Sequence, residues 1–390
     1  MFGGLNKSTS IFALAAVAGL AMGGVSAKAA DLGGDCCADL EERVAELEAT
    51  TARKGNRKVS LTIYGQVTTA VMFWDADGPF VDESNTYVVD PQTSGTRFGF
   101  KGSANITSDW SAGYNIELQW QAADATIVSS TSDEGPDLPE FRQAHWYVKS
   151  KTLGKFRMGL ADTANSGIAE ISVANELIAD AMTSSQAGQV IIKENGGPGS
   201  FGSNFEFNRQ NIVRYDTPEF AGFILSAAWG EDDIWDVALR YAGEFVGFKL
   251  AAGIAYGENT DSSNGIGADR TIEQVNGSAS IMHVATGLFA TGSAGQRDDP
   301  FRAKEEEFWH VNAGIEQKWS SFGKSTLFGM VGEFEDDNDA STQYYGGGFV
   351  QKIDAAAMDL FISYRHYDAD NGAGLESDFD VVVGGGRVRF

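Results

Sequence analysis

Cysteine is almost missing from this chain. Only Cys36 and Cys37 occur in 390 residues, so no disulfide framework staples the bulk of it. Neighbouring cysteines pair with each other only under strain, which leaves free thiols or bonds between chains as the alternatives. Asp35 precedes Cys36 where lipid acylation would need a small residue. Positive charge is scarce too: 29 Lys and Arg stand against 54 Asp and Glu, a net charge of -25. Such a chain repels a phosphate backbone, which excludes nucleic acid as a partner. Anionic lipid would be repelled as well unless divalent cations bridged the contact. Past the N-terminal segment no stretch reaches the roughly 20 apolar residues a spanning helix needs, so a role within a membrane would have to be non-helical. Enzyme signatures are lacking: His145, His283, His310 and His366 are scattered without metal-ligand spacing, and no P-loop or nucleophile elbow occurs. Proline, at 7 residues against 47 glycines, is too rare to interrupt extended strands often.

What is present begins with an export leader over residues 1–30. Lys7 gives a short positive region, Ile11 to Gly24 an apolar one, and small residues follow at Val25-Ser26-Ala27 and Ala27-Lys28-Ala29. Loss of Lys7 and Lys28 with this signal peptide would leave 27 basic residues and a net charge of -27. Residues 31–58 form a second unit. Leu40, Val44 and Leu47 continue a 3,4 spacing between Cys37 and Thr51, the seam of a short coiled coil. Two heptads are unstable alone, so the seam predicts support from an oligomer held elsewhere; a plain amphipathic helix is the alternative. Arg53 to Lys58 is a basic linker suited to lipid headgroups, to the cell wall or simply to water.

Residues 59–390 read in period two. Val59, Leu61, Ile63, Val67, Val71 and Phe73 share one face of a first strand, with Ser60, Thr62, Tyr64, Gln66 and Thr68 on the other. Trp110 to Asp124 repeats the pattern. Soluble strands average about five or six residues, whereas transmembrane barrel strands run to about nine to eleven and beyond. Strands are predicted near residues 59, 95, 110, 139, 154, 209, 221, 233, 248, 272, 287, 305, 323, 341, 357 and 378. Their even number, with tight turns alternating with longer acidic loops, predicts an all-β fold: a sixteen-stranded antiparallel transmembrane barrel. Trp110 and Trp120 lie ten residues apart, as do Trp309 and Trp319. Ten tilted strand residues span roughly 25 Å, the height of the apolar band, so each pair would mark its two interfaces. Gly384-Gly385-Gly386 separates Val381 and Val383 from Phe390 in parity, which predicts a bulge.

Lys58-Val59-Ser60-Leu61-Thr62-Ile63-Tyr64-Gly65-Gln66-Val67, Asp109-Trp110-Ser111-Ala112-Gly113-Tyr114 and Leu153-Gly154-Lys155-Phe156-Arg157-Met158-Gly159-Leu160 resemble the porins of alphaproteobacteria. Residues Cys36 to Glu48 are similar to the helical leader of that family, although its cysteine-bearing extracellular motif is lacking. The resemblance implies a homotrimer in the bacterial outer membrane that passes small hydrophilic solutes by passive diffusion. Phe390 resembles the terminal residue that outer-membrane assembly machinery reads as a signal. In general porins the third long loop folds inward to narrow the pore, and here the third long loop is 162–208.

On this reading Glu170, Glu176 and Asp180, beside a short helix within Ile168 to Ala181, would form the acidic side of a constriction. Their joint neutralisation would then move selectivity toward anions. Arg97, Lys101, Lys155, Arg157, Arg214, Arg240 and Arg365 fall on polar strand faces and would form a basic wall opposite. The acidic outer loops, including Asp133-Glu134, Asp232-Asp233 and Glu335 to Asp339, could hold divalent cations that bridge to lipopolysaccharide phosphates, but none matches an EF-hand loop and solvated acidic loops are the stronger reading. The net charge suggests a preference for cations. Two other functions compete: a solute-specific channel, and a structural protein whose helix ties the outer membrane to the cell wall.

Overall fold

The first strand sets the pattern for the whole sheet. Along β1 (Thr62–Asp77) burial alternates without interruption from Gln66 onward, Phe73 being 45% exposed on the outer face and Trp74 0% on the inner one. The computed structural model describes residues 58–91, 94–120, 123–135, 139–180, 187–197, 204–230, 233–260, 271–336 and 338–390. The leader, Cys36, Cys37 and the seam of Leu40, Val44 and Leu47 lie outside the described residues.

β2 (Glu83–Val89) and β3 (Arg97–Asn105) together fill one barrel position, since β2 pairs with Ala70–Ala76 of β1 and β3 with Thr62–Gln66. The break between them is tied down at both ends. Thr96 donates its N–H to Asp90 at 2.8 Å and its hydroxyl to the Thr68 carbonyl at 3.1 Å. A low wall follows: β4 (Trp110–Gln119), β5 (Glu140–Ser150), β6 (Gly154–Asp162), β7 (Arg209–Asp216) and β8 (Phe223–Gly230), of 8 to 11 residues each. The wall rises through β9 (Ile234–Phe245), β10 (Phe248–Asn259), β11 (Ile272–His283) and β12 (Leu288–Asp298). It is tallest at β13 (Glu306–Ser320), β14 (Gly323–Glu335), β15 (Ser341–Ile353), β16 (Met358–Asp370) and β17 (Glu376–Arg389). Each barrel position is antiparallel to the next, and β17 returns to β1 from Gln66↔Arg389 to Asp77↔Asp378. Seventeen segments therefore make a closed barrel of sixteen strand positions without a free edge.

The segment 83–89 carries too little apolar alternation to stand out in the sequence. The bulge expected at Gly384–Gly386 is not found: β17 keeps one register with β1 and with β16 throughout. Val381 and Val383 point inward and are buried, while Val388 and Phe390 share the outer face, so no extra residue is needed to reconcile them. Bulges fall elsewhere, at Arg142 opposite Glu117 and Leu118, and near Gln317 and Ser320. Trp110, Trp120, Trp309 and Trp319 are all exposed on the outer face.

The short-turn rim carries the closing contact. Gly65 and Phe390 exchange both backbone hydrogen bonds at 3.0 Å. A Cβ on Gly65 would come within 2.5 Å of the Phe390 ring and 2.7 Å of the Arg97 carbonyl. Gly65→Val should therefore prevent closure and abolish the heat-modifiable folded band on an unheated gel, whereas Thr69→Val on the exposed outer face of the same strand should keep it. A folded Gly65→Val barrel would contradict this account of the seam.

Candidate functional site

The longest connection, residues 163–208 between β6 and β7, turns into the barrel and is held along the inner wall. At its base Asp236 of β9 accepts the N–H groups of Ala164 and Asn165 at 3.0 and 2.7 Å. Arg240 of β9 donates to the carbonyls of Ala164 and Ser166, and Arg214 of β7 to that of Thr163 at 2.5 Å. Glu206, from the returning end of the loop, accepts the N–H groups of Gly167 and Ala169 at 2.6 and 2.9 Å.

Further along, the chain is extended against β10 and β11. Ile171 and Val173 donate their N–H groups to the hydroxyls of Ser278 and Ser280 at 2.9 and 3.1 Å. The approach depends on Gly253, where a Cβ would lie 2.6 Å from the Ile171 side chain. These wall bonds replace the helix expected within Ile168 to Ala181. Residues 176–180 make one turn, and the helix is α1 (Gln189–Glu194), which buries Ile191 and Ile192 and ends at Asn195 before Gly196. Phe205 packs against Phe308 and Phe334, with ring centroids at 5.3 and 6.0 Å, while Trp74 meets Tyr87 at 6.0 Å. The inner face of the tall wall thus carries apolar patches beneath the loop.

Asp180 is the polar centre of this docking. It is fully buried and accepts from Arg365 of β16 at 2.9 Å and from Asn312 of β13 at 2.6 Å, with the His310 ring at 3.2 Å. His310 is oriented in turn by the Tyr344 hydroxyl at 2.8 Å. Glu176 is equally buried and accepts from the Ser172 hydroxyl. Burial pushes its carboxyl up to about 7, and the nearby negative charges of Asp180 and Glu316 add to the shift. Glu170 is buried as well. The three loop acids are therefore brought to the barrel interior, but Glu176 and Asp180 are turned to the wall and away from water.

The basic candidates divide into two groups. Arg214, Arg240 and Arg365 hold the loop. Arg97, Lys101, Lys155 and Arg157 line the inner face of β3 and β6, where Lys101 lies 4.7 Å over the Tyr64 ring and Lys155 4.3 Å over the Tyr147 ring. Arg157 and Arg214 face each other across β6 and β7, with Asp216 bonded to both at 2.7 Å. Sequence reasoning missed Arg142, Arg209 and Arg387. Arg142 is the extra residue of the β5 bulge, which puts it inward beside Gln143 and defeats parity; it bonds Glu117 at 2.8 Å. Arg387 pairs with Asp359 at 2.6 Å and reaches Ser94 at 2.5 Å, and Arg209 stands 4.0 Å from Asp162. Both were open to detection, because each begins or continues a strand whose polar face was known.

Of the acidic outer loops, Asp232 and Asp337 lie outside the described residues. Asp336 accepts the N–H groups of Asn338 and Ala340, and Asp339 pairs with Lys304. Among the described residues, the one group with metal-ligand spacing is His366, Asp368 and Asp378, on the outer face near the long-loop rim.

Several solved barrels resemble this one. An anion-selective porin from Comamonas acidovorans superposes with a TM-score of 0.61 at 14% identity, over 85% of this chain and 100% of that one. OmpF of Salmonella typhi, in complex with daunomycin, gives 0.55 at 15% over 86% and 99%. The trimer form of OmpT, an outer-membrane protein of Vibrio cholerae, gives 0.54 at 13% over 85% and 99%. No curated protein matches the chain in sequence. The sequence profile described as Gram-negative porin matches residues 10–372. With its closed sixteen-position barrel and inward loop, the chain belongs to the Gram-negative porin family and is an outer-membrane channel for passive diffusion.

Proposed function

We propose that ions and small hydrophilic solutes pass through a gap between the docked loop and the inner face of β3–β6, with the loop as a fixed constriction. The observation that carries this reading is the buried contact of Asp180 with Arg365, Asn312 and His310, which secures the loop to the tall side of the barrel. A loop fixed on that side leaves the low wall facing water. The neutral outer face of that wall supports a homotrimer. Along β4–β8 it presents Trp110, Ile116, Trp146, Met158, Leu225 and Trp229. Elsewhere the outer rim places carboxylates directly opposite one another, at Glu258↔Glu273, Glu307↔Glu335 and Asp368↔Asp378. Such pairs suit an aqueous or headgroup boundary and not a dry contact between copies. The trimer form of the Vibrio cholerae relative is consistent with this arrangement.

Removing one partner of a buried ion pair costs about 3–5 kcal/mol, because the other charge is stranded. Asp180→Asn should therefore release the loop: in planar bilayers single-channel conductance should rise and become noisier, while the barrel stays folded on an unheated gel. Unchanged conductance would remove the loop from the constriction.

A pH effect follows from Glu176. Its folded-state value, about 7, lies above the ordinary 4.5, so the docked loop holds the proton that the released loop gives up. Docking is then strongest below about 4.5, weakens as pH rises between the two values and stays weaker above about 7. Conductance noise should increase from pH 5 to pH 8, and Glu176→Gln should remove that increase. A pH-independent trace from the unaltered protein would refute it.

A further inference from the structure

The outer face of the closing strands carries a set of side chains that conduction does not use. Near the long-loop rim, the register of β16, β17 and β1 lines up two rows of outward residues. Asp368, Asp378 and Asp77 form one row, and His366, Asp380 and Asp75 the next. Five carboxylates and one imidazole thus share a small patch. The nearest basic residue on these strands, Arg365, points inward to Asp180 and does not compensate them. Side chains directly opposite on paired strands lie about 5 Å apart, and like charges so placed repel.

The imidazole distinguishes this patch from the other facing carboxylates of the rim. His366 has its Nδ1 3.0 Å from Asp380, which also accepts the Tyr364 hydroxyl at 2.6 Å. The ring packs on Tyr345 of β15, with centroids 5.1 Å apart. A carboxylate that holds the proton on one ring nitrogen leaves the other as a lone-pair donor, and this is the arrangement that accompanies metal-bound histidine. The other nitrogen, Nε2, is turned to Asp368 at 3.3 Å. Asp378 completes a triangle, in which one ligand atom from each of His366, Asp368 and Asp378 lies within 4.8 Å of the other two. The His366 side chain is 18% exposed and that of Asp368 57%, so the ring is held while the carboxylate is free to turn. Small rotations of the two aspartates would bring all three atoms to about 2.0–2.2 Å from a single ion.

We infer that His366, Asp368 and Asp378 form a binding site for a divalent transition-metal ion such as Zn²⁺, with Asp380 and Tyr364 orienting the imidazole. A nitrogen with two carboxylate oxygens suits zinc and its neighbours, whereas calcium and magnesium are held by oxygen alone. Asp75 and Asp77 add negative potential beside the site. Because the ligands come from β16 and β17, a bound ion would tie these two strands together one position from the closing seam, and an ion bound only by the folded state stabilises it. The site faces away from the lumen and stands apart from the channel reading.

The test is a calorimetric titration of zinc chloride into the unheated oligomer after treatment with EDTA. The protein would carry Cys36→Ser and Cys37→Ser, since thiolates also bind zinc. One zinc per chain should bind, the folded band should survive to a higher temperature on a gel, and calcium at the same concentration should do much less. His366→Gln should weaken zinc binding by about tenfold or more. Asp380→Asn keeps all three ligands and should still weaken it by about tenfold, because the orienting carboxylate is lost. Glu258→Gln, at a facing carboxylate pair elsewhere on the rim, should leave binding unchanged. No zinc binding to the folded oligomer, binding that survives His366→Gln, or calcium binding as tight as zinc would overturn the inference.

Discussion

In hydrocarbon no water is available to bond a backbone N–H or C=O, so each such group must find its partner within the protein. The pairing of β1 with β17 meets this requirement by joining the two ends of the sheet, from Gln66↔Arg389 to Asp77↔Asp378. Every other feature follows from that closure. A closed sheet has two faces and no edge, so the period-two alternation assigns each side chain to lipid or to lumen. Phe73 and Trp74 are neighbours in sequence yet belong to different environments. Closure also makes the cost of misplaced bulk at Gly65 fall on the whole barrel.

The lumen is then a polar vessel that must be narrowed without being blocked. The chain does this by giving the tall wall an inner lining of apolar patches around one polar anchor and laying the loop on it. Ile191, Ile192 and Phe205 supply contact area, while hydroxyls from Ser278 and Ser280 meet the backbone groups that an extended segment leaves open. Asp180 gives the docking its position. A buried carboxylate held by Arg365, Asn312 and His310 has one good place to sit, and a loop shifted along the wall would strand both Asp180 and Arg365. The polar lining of the passage results from this arrangement, because Glu176 and Asp180 are used for docking and withdrawn from the water while Arg157 and Arg209 of the opposite wall stay partly exposed.

The architecture was legible in the sequence because lipid imposes a simple rule. Runs such as Val67 to Phe73 and Trp110 to Trp120 alternate for longer than a soluble strand would, and the starts read from them fall within a few residues of those observed. The rule breaks where the lumen is apolar. Val381 and Val383 differ in parity from Phe390 because they line the interior beneath the loop, and reading that difference as a bulge is the mistake. Arg142 was hidden by a real bulge, which parity cannot foresee. The identity of the inward loop was readable from its length and order, but the direction of its acids was not. Glu176 and Asp180 resemble exposed pore acids in sequence, and only their long-range partners, Arg365 from 185 residues away among them, reveal a structural role.

The central claim is that water fills the space between the docked loop and the low wall. Single cysteines at Arg97, Lys155 and Val71, with Cys36 and Cys37 replaced by serine, would be treated with a membrane-impermeant, positively charged thiol reagent during bilayer recording. The account predicts stepwise loss of current on modification at positions 97 and 155, and none at the lipid-facing position 71. Reaction at 97 and 155 without any change in current would contradict it.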